Sequence, residues 1–278
     1  MGNRSPSASG GPLNADMDVR DWRVFGEDGR GGNRARTFAC TRPLPAAERQ
    51  RLARQTPAAT CCFFWAAAGD DGRHYQVHCH NAQNVIQRCG HGYLAVARAL
   101  PLQDASLPIT LLASDNTPIT IEATGIGLEV HLPRIPCQPD TLPVWAQSAF
   151  SPAPVSAARA GDDEGYLILE WDPAVDLARV SVGIAMIAAS SRRAVVATRA
   201  GAGTDFDFLL RYFAPRHGVD EDPVTGSANA VLADYWGQQH GQTHFRARQC
   251  SATGGVVYSR LTDHSVAISG QVEAWCKP

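Results

Sequence analysis

The sequence predicts an α+β fold of two similar halves, because one order of elements occurs twice along the chain. In each half, segments of strand character lead into a turn of small residues, and a helix begins at that turn. The two turns are CGHG at residues 89–92 and TGSA at residues 225–228. A proline-rich passage that starts with RIPCQP lies between them, and it divides the chain into halves at residues 17–134 and 135–278.

Most segments of the first half show the alternation or the β-branched content that is typical of strands. We predict strands over 21–40, folded as a hairpin, and over 60–68, 74–81, 108–114 and 117–133, with helices over 45–55 and 93–100. Alternation in HYQVHCH places Cys79 on one strand face and His78 and His80 on the other. The neighbours Cys61 and Cys62 face opposite sides of their strand for the same reason.

The second half repeats this order in outline. We predict strands over 166–171, 193–200, 207–215, 244–252, 255–261 and 265–275, and helices over 172–189 and 228–240. The two turns differ too much in sequence to prove a duplication, but their placement matches two copies of one unit that face each other.

Composition limits the classes of function. Hydrophobic residues make up 44% of the 278 residues and charged residues 19%, as in a globular chain with a substantial core. The net charge of -2 gives no electrostatic reason to expect a nucleic acid or a membrane surface as partner. No apolar run reaches the length of about 18 residues that a membrane span needs. We expect a cytoplasmic protein with a disordered leader over residues 1–16.

The eight cysteines form no CxxC pair. A structural zinc site would therefore have to gather its ligands from distant segments, and we predict no metal site. Without a secretion signal, we expect the thiols to be reduced. No glycine motif for nucleotide binding occurs in its required context, so we predict no nucleotide.

Both small-residue turns are suited to hold a carboxylate. A helix start presents unpaired backbone N–H groups and the positive end of the helix dipole. Gly90, Gly92 and Gly226 would let a ligand approach the backbone, and Thr225 and Ser227 would add hydroxyl donors. The alternative is that each turn is only an ordinary helix cap.

Three side chains near these turns are candidates for proton transfer. Cys89 stands at a helix start, where a thiolate is stabilised, and His91 titrates near neutral pH. Asp222 lies among further acids, and crowded carboxylates raise one another's pKa. The alternatives are that Cys89 is a small buried core residue and that Asp222 belongs to a solvated acidic turn.

The stretch RYFAPRHGVDEDPVTGSANAVLADYW, residues 211–236, resembles the signature of the phenazine-biosynthesis isomerase-like (PhzF-like) family of the diaminopimelate epimerase fold. VFGEDGRGGNRARTF and RCGHGYLAVA are similar to the same family, so the resemblance covers nearly everything after Met17. It implies that each half is a mostly antiparallel sheet wrapped round a central helix, with a cofactor-free active site in the cleft between the halves. It also suggests a homodimer.

The resemblance implies catalytic roles for His91 and Asp222, and substrate binding by Gly226, Ser227 and Asn33, the last within the matched stretch near the start.

Two departures from the family pattern change the expected chemistry. The glutamate with which the family moves a proton on and off carbon is replaced here by Thr60. RCGHG is also similar to the turn of proline racemases in which the cysteine is a catalytic base, but Thr225 stands where those enzymes carry a second cysteine. We expect Thr60 and Thr225 to shape the pocket. A single thiolate, here Cys89, suits isomerisation or elimination better than racemisation.

These residues lead us to expect a cofactor-independent isomerase that acts on a small carboxylate-bearing substrate, cyclic or unsaturated and similar to an amino acid, in natural product biosynthesis. Because the glutamate is missing, a lyase or dehydratase, a cyclase or a hydrolase on the same fold is an alternative. A non-catalytic binding protein that keeps the cleft is another.

Overall fold

The computed structural model describes residues 17–67, 72–101, 107–124 and 127–275. The leader predicted over residues 1–16 lies outside these ranges. No helix within them is both long and apolar enough to cross a membrane.

The first half is a sheet with two helices. Its strands are β1 (Met17–Glu27), β2 (Arg30–Cys40), β3 (Thr60–Ala66), β4 (His74–His80), β5 (Val85–Ile86), β6 (Ile109–Leu112), β7 (Pro118–Thr124) and β8 (Gly127–Pro133). Its helices are α1 (Ala46–Arg54) and α2 (Gly90–Ala99). β1 and β2 form the predicted hairpin. All residues of α2 from its start to Ala97 are buried, so the sheet encloses this helix.

The second half also consists of strands and a few helices. Its strands are β9 (Cys137–Asp140), β10 (Phe150–Ser151), β11 (Ser156–Ala160), β12 (Tyr166–Glu170), β13 (Ser181–Val182), β14 (Ala194–Ala200), β15 (Phe208–Phe213), β16 (His244–Gln249), β17 (Gly255–Leu261), β18 (Ser265–Ser269) and β19 (Gln271–Ala274). Its helices are α3 (Val144–Ala149), α4 (Ile184–Ser190) and α5 (Gly226–His240). α5 is buried from its start to Trp236 and is the second central helix.

The two halves share one order of strand directions. In the first half, β2 and β3 are parallel, β3 and β4 antiparallel, β4 and β6 parallel, and β6 to β8 antiparallel. In the second half, β12 and β14 are parallel, β14 and β15 antiparallel, β15 and β16 parallel, and β16 to β18 antiparallel. The central helices occupy equivalent connections, α2 between β4 and β6 and α5 between β15 and β16. The predicted fold class is confirmed.

Strand pairing also joins the halves to each other. β8 pairs antiparallel with β18, and β19 at the end of the second half pairs antiparallel with β1. One large core cluster contains residues of both central helices, among them Leu94 and Val231. The cavity described below therefore lies between two units that share a core and a sheet.

The helix predicted over 172–189 is wrong in its first part. The chain forms a 3-10 turn at Leu177–Arg179 and then β13, and only α4 is helical. The side chain of Asp176 stabilises the 3-10 turn by accepting a hydrogen bond from the backbone N–H of Ala178, at 3.2 Å. The side chains of Leu177 and Val180 are buried although this segment is not an α-helix. Their spacing of three residues resembles the periodicity of a helix. The proline-rich passage also contains β9 and α3, which were not predicted.

Asp234 on α5 fastens the segment that connects the halves. Its side chain is fully buried and accepts hydrogen bonds from Nε of Arg134 at 2.6 Å, from the backbone N–H of Cys137 at 2.6 Å and from Nε2 of Gln238 at 2.7 Å. A carboxylate is stable at such a depth only with partners of this kind. The connection between β8 and β9 is thus held against the second central helix.

We expect Asp234→Ala to lower the free energy of unfolding by about 3 kcal/mol, because a guanidinium and a buried N–H lose their acceptor. Urea unfolding followed by circular dichroism measures the change. The control is Glu164→Ala, which removes an ion pair with Arg192 that is 62% exposed on both sides and should leave the midpoint almost unchanged. Equal midpoints for the two variants would contradict this assignment.

Candidate active site

A cavity of about 1080 Å³ lies between the two halves, and both contribute to its wall. Eight predicted site residues line it: Thr60, Cys89, Gly90, His91, Asp222, Thr225, Gly226 and Ser227. The other two, Asn33 and Gly92, are buried outside its lining. The fold therefore brings both small-residue turns to one site, as predicted from their placement.

The N-termini of α2 and α5 meet at this cavity. A Cβ added at Gly90 would lie 3.3 Å from Cα of Gly226 and 2.5 Å from Cδ1 of Ile268, so the two helix tips approach each other closely at these glycines. The N-cap residues are Cys89 and Thr225, and neither side chain makes a capping hydrogen bond. Ordinary side-chain capping thus does not explain these turns, and the first N–H groups of both helices remain available to a ligand.

Asp222 is held in one orientation by residues of both halves. Its carboxylate accepts a hydrogen bond from Nδ2 of Asn33 at 2.8 Å and another from the hydroxyl of Thr225. The Gln249 side chain donates to the backbone carbonyl of Asp222 at 2.6 Å and accepts from the N–H of Thr225 at 2.7 Å. Asn33 also donates to the carbonyl of Val224 at 2.9 Å. Asn33 therefore positions the carboxyl group of Asp222 from outside the cavity lining.

Burial raises the pKa of Asp222, against the opposing effects of the nearby His91 and of the hydrogen bonds from Thr225 and Asn33. The sequence-based reason for this shift, crowding by neighbouring acids, needs correction. Glu221 instead forms a two-pronged ion pair with Arg211, at 2.7 and 2.9 Å. The raised pKa follows mainly from loss of water round the carboxyl group.

Cys89 and His91 form a second polar group, on the first-half wall. Sγ of Cys89 lies 4.0 Å from Nδ1 of His91 and 3.6 Å from the hydroxyl oxygen of Thr60. Nε2 of His91 is buried without a hydrogen-bond partner among the described residues. A ring nitrogen in this situation is free to bind a substrate atom.

Cys89 and His91 shift each other's pKa. Burial acts to raise the pKa of Cys89, but the thiols of Cys62 and Cys79 and the His91 imidazole together hold it well below that of an ordinary thiol. Burial likewise acts to lower the pKa of His91, but the negative charges of Cys89 and Asp222 raise it. The pair therefore favours a thiolate beside an imidazolium at neutral pH.

The two further thiols were not predicted as part of the site. Sγ atoms of Cys62, Cys79 and Cys89 all lie within 4.8 Å of one another. Gly92 accommodates them, because a Cβ there would approach all three sulfurs to 3.0 Å or less. Their common location depends on the packing of β3 and β4 against α2. The sequence contained only one signal for it, the alternation that placed Cys79 opposite to its flanking histidines.

Comparison with known proteins identifies relatives of this chain. The sequence profile described as a phenazine biosynthesis-like protein matches residues 139–273. The chain is 30% identical over 234 residues to an uncharacterized isomerase of Pseudomonas aeruginosa. The aligned region covers 80% of this chain and 82% of that protein. It is 31% identical over 206 residues to a phenazine biosynthesis-like domain-containing protein of Bos taurus, over 68% of this chain and 71% of that protein.

A solved structure shows the same fold at lower identity. The crystal structure of a PhzF-family phenazine biosynthesis protein of Enterococcus faecalis matches with a TM-score of 0.82 and 23% identity, over 94% of this chain and 97% of that one. Sequence identity, length of match and fold thus point the same way as the motifs at residues 89–92 and 211–236. This chain belongs to the phenazine biosynthesis-like, or PhzF-like, family.

Proposed function

We propose that the protein is a cofactor-independent isomerase that moves a proton, and with it a double bond, on a small substrate carrying a carboxylate. The observation that carries the proposal is the composition of the cavity lining, in which the Cys89–His91 pair of the first half shares one cavity with the buried Asp222 of the second. A relative named as an isomerase supports the class of reaction. Cyclic or unsaturated amino acids are the substrates we favour, in natural product biosynthesis.

The substrate carboxylate would bind where the two helices meet. The first N–H groups of α2 and α5, at Gly90 and Gly226, have no partners within their helices, and each helix end carries about half a positive charge. Both glycines line the cavity. The hydroxyl of Ser227 adds a further donor on the same wall. Negative charge that develops on the carboxylate during the reaction would be stabilised by the same donors.

Proton transfer would then begin at sulfur. The thiolate of Cys89 takes a proton from the carbon next to the carboxylate, and the electron pair of the broken C–H bond moves toward the carboxylate oxygens. Asp222, whose pKa is raised by burial, would return a proton to another carbon, which shifts the double bond. His91 lies beside Cys89, and its pKa is affected by the charge of Asp222. Transfer of a proton from the thiol of Cys89 through His91 to Asp222 would restore both Cys89 and Asp222 for the next turnover.

Deuterium exchange tests the proposal directly. The purified protein is incubated in deuterated buffer with a panel of cyclic and unsaturated amino acids and related carboxylates, and each is followed by NMR. Deuterium at carbon, with or without net conversion, is the expected result. A panel whose members bind, as saturation-transfer signals report, but show no exchange would overturn it.

We expect Cys89→Ala to lower the exchange rate by roughly a hundredfold to ten-thousandfold, the usual contribution of a general base. The control is Cys61→Ala, since Cys61 is equally buried but belongs to a separate core with Phe38 and Phe63. Asp222→Asn should also slow exchange, with little effect on substrate binding, because the amide keeps the shape of the carboxyl group. Wild-type rates in both Cys89→Ala and Asp222→Asn would refute these roles.

The pH dependence should be bell-shaped. Exchange should rise as pH passes the lowered pKa of Cys89, since the thiolate then forms, and should fall as pH passes the raised pKa of His91, since the imidazolium is then lost. Formation of the Cys89 thiolate is followed separately by ultraviolet absorbance. The absorbance of the Cys89→Ala variant is subtracted from that of the wild type at each pH. In His91→Gln this difference should appear at higher pH, and in His217→Gln, which alters an exposed histidine of the cavity rim, it should not move. An unchanged thiolate titration in His91→Gln would contradict the coupling.

A further inference from the structure

Three buried cysteines from separate elements bring their sulfurs together behind the cavity wall. Cys62 lies on β3, Cys79 on β4 and Cys89 at the start of α2, and their Sγ atoms are all within 4.8 Å of one another. Cys62 and Cys79 are directly opposite in the antiparallel pair, with their sulfurs 3.1 Å apart. Within the described ranges, no other set of three histidine, cysteine or acidic side chains converges in this way.

The surroundings of Gly92 show that the sulfurs are grouped round one point. A Cβ added at Gly92 would lie 2.6 Å from Sγ of Cys62, 2.7 Å from Sγ of Cys89 and 3.0 Å from Sγ of Cys79. Any side chain at this position would push the sulfurs apart. The three sulfurs can therefore lie this close together only because residue 92 is glycine.

The proposed proton transfer needs only one of these thiols in contact with substrate. Cys62 and Cys79 are 0% and 1% exposed and do not line the cavity, so neither reaches a ligand there. Thiolate sulfur is, however, the ligand that soft cations prefer. His91 lies beside the cluster, with its Nδ1 4.0 Å from Sγ of Cys89, but it does not converge on all three sulfurs. Three protein ligands with a fourth position open to water or another ligand are an established arrangement for zinc in proteins.

We propose that Cys62, Cys79 and Cys89 bind a soft cation of the Zn²⁺ class, with its fourth coordination position open to a further ligand. Tetrahedral coordination with Zn–S bonds of about 2.3 Å places sulfurs about 3.8 Å apart. The separations in the structure, 3.1 Å for Cys62 and Cys79 and at most 4.8 Å for all three, are compatible with this spacing. Small rotations of the cysteine side chains suffice to reach it.

The cation has a route to the site and a consequence for the cavity. Cys89 and His91 line the cavity, so a cation can reach the sulfurs from there. Once bound, it would occupy the thiolate of Cys89, which the proposed reaction uses as its base, and Zn²⁺ would inhibit the enzyme. The binding site itself does not depend on that reaction, because binding is measured without substrate.

The test uses the full, reduced chain and two metal ions. Zn²⁺ binding is titrated in competition with a chromogenic chelator, and Cd²⁺ is added separately to detect the ultraviolet charge-transfer absorbance of thiolate coordination. We expect one tightly bound Zn²⁺ per chain and a Cd²⁺ absorbance corresponding to three thiolates. Both should be lost in Cys62→Ala and in Cys79→Ala. Both should persist in the matched variants Cys61→Ala and Cys250→Ala, whose sulfurs lie outside the cluster.

Three outcomes would overturn the proposal. The first is a wild-type chain that binds no Zn²⁺ more tightly than the chelator does. The second is Zn²⁺ binding that survives in both Cys62→Ala and Cys79→Ala. The third is Zn²⁺ binding without Cd²⁺–thiolate absorbance in the wild type, which would place the ion on nitrogen and oxygen ligands elsewhere. The third measurement needs no variant, so the proposal stays testable even when a core substitution does not fold. Circular dichroism of every variant confirms that the comparison is between folded chains.

Discussion

The meeting of two helix N-termini at Gly90 and Gly226 is the contact on which the rest of the structure depends. Each tip carries about half a positive charge, so two tips that face each other repel unless negative charge lies near them. The chain supplies that charge from both halves, as the thiolate-prone Cys89 and the carboxyl group of Asp222. Because both helices are buried at their first turns, solvent screens these interactions little. The positive ends of the two helices therefore stabilise negative charge at this part of the cavity, whether it lies on these side chains or on a bound carboxylate.

Asp222 is kept in place by contacts from both halves. Asn33, on the β1–β2 hairpin, donates to the carboxylate of Asp222 and to the carbonyl of Val224, both in the second half. Gln249 at the end of β16 closes the turn from the other side through Thr225 and Asp222. A relative movement of the halves would break this network at once. Asn33 thus contributes to the site although it does not line the cavity.

Local sequence rules predicted these elements well where one strand or one helix start was enough. Alternation correctly separated Cys61 from Cys62 and Cys79 from its neighbouring histidines, since Cys79 packs toward α2 while His80 contacts Arg49 on α1. The same rules failed at residues 172–189, where apolar spacing alone imitated a helix. They also could not show the three-thiol cluster, because its members meet only through the packing of a sheet on a helix. The homodimer remains a prediction.

The asymmetry of the site explains why the two halves, despite their common topology, would not perform equivalent steps. In the first half the helix begins after Cys89, whose sulfur has Thr60 and His91 as neighbours. In the second half the equivalent position is Thr225, and its hydroxyl is already committed to Asp222. A thiolate on one wall and a protonatable carboxyl group on the other differ in charge and in reach, so a proton removed by the first need not return to the same carbon. This difference favours transposition of a double bond over inversion at one centre, which would require two similar bases on opposite faces.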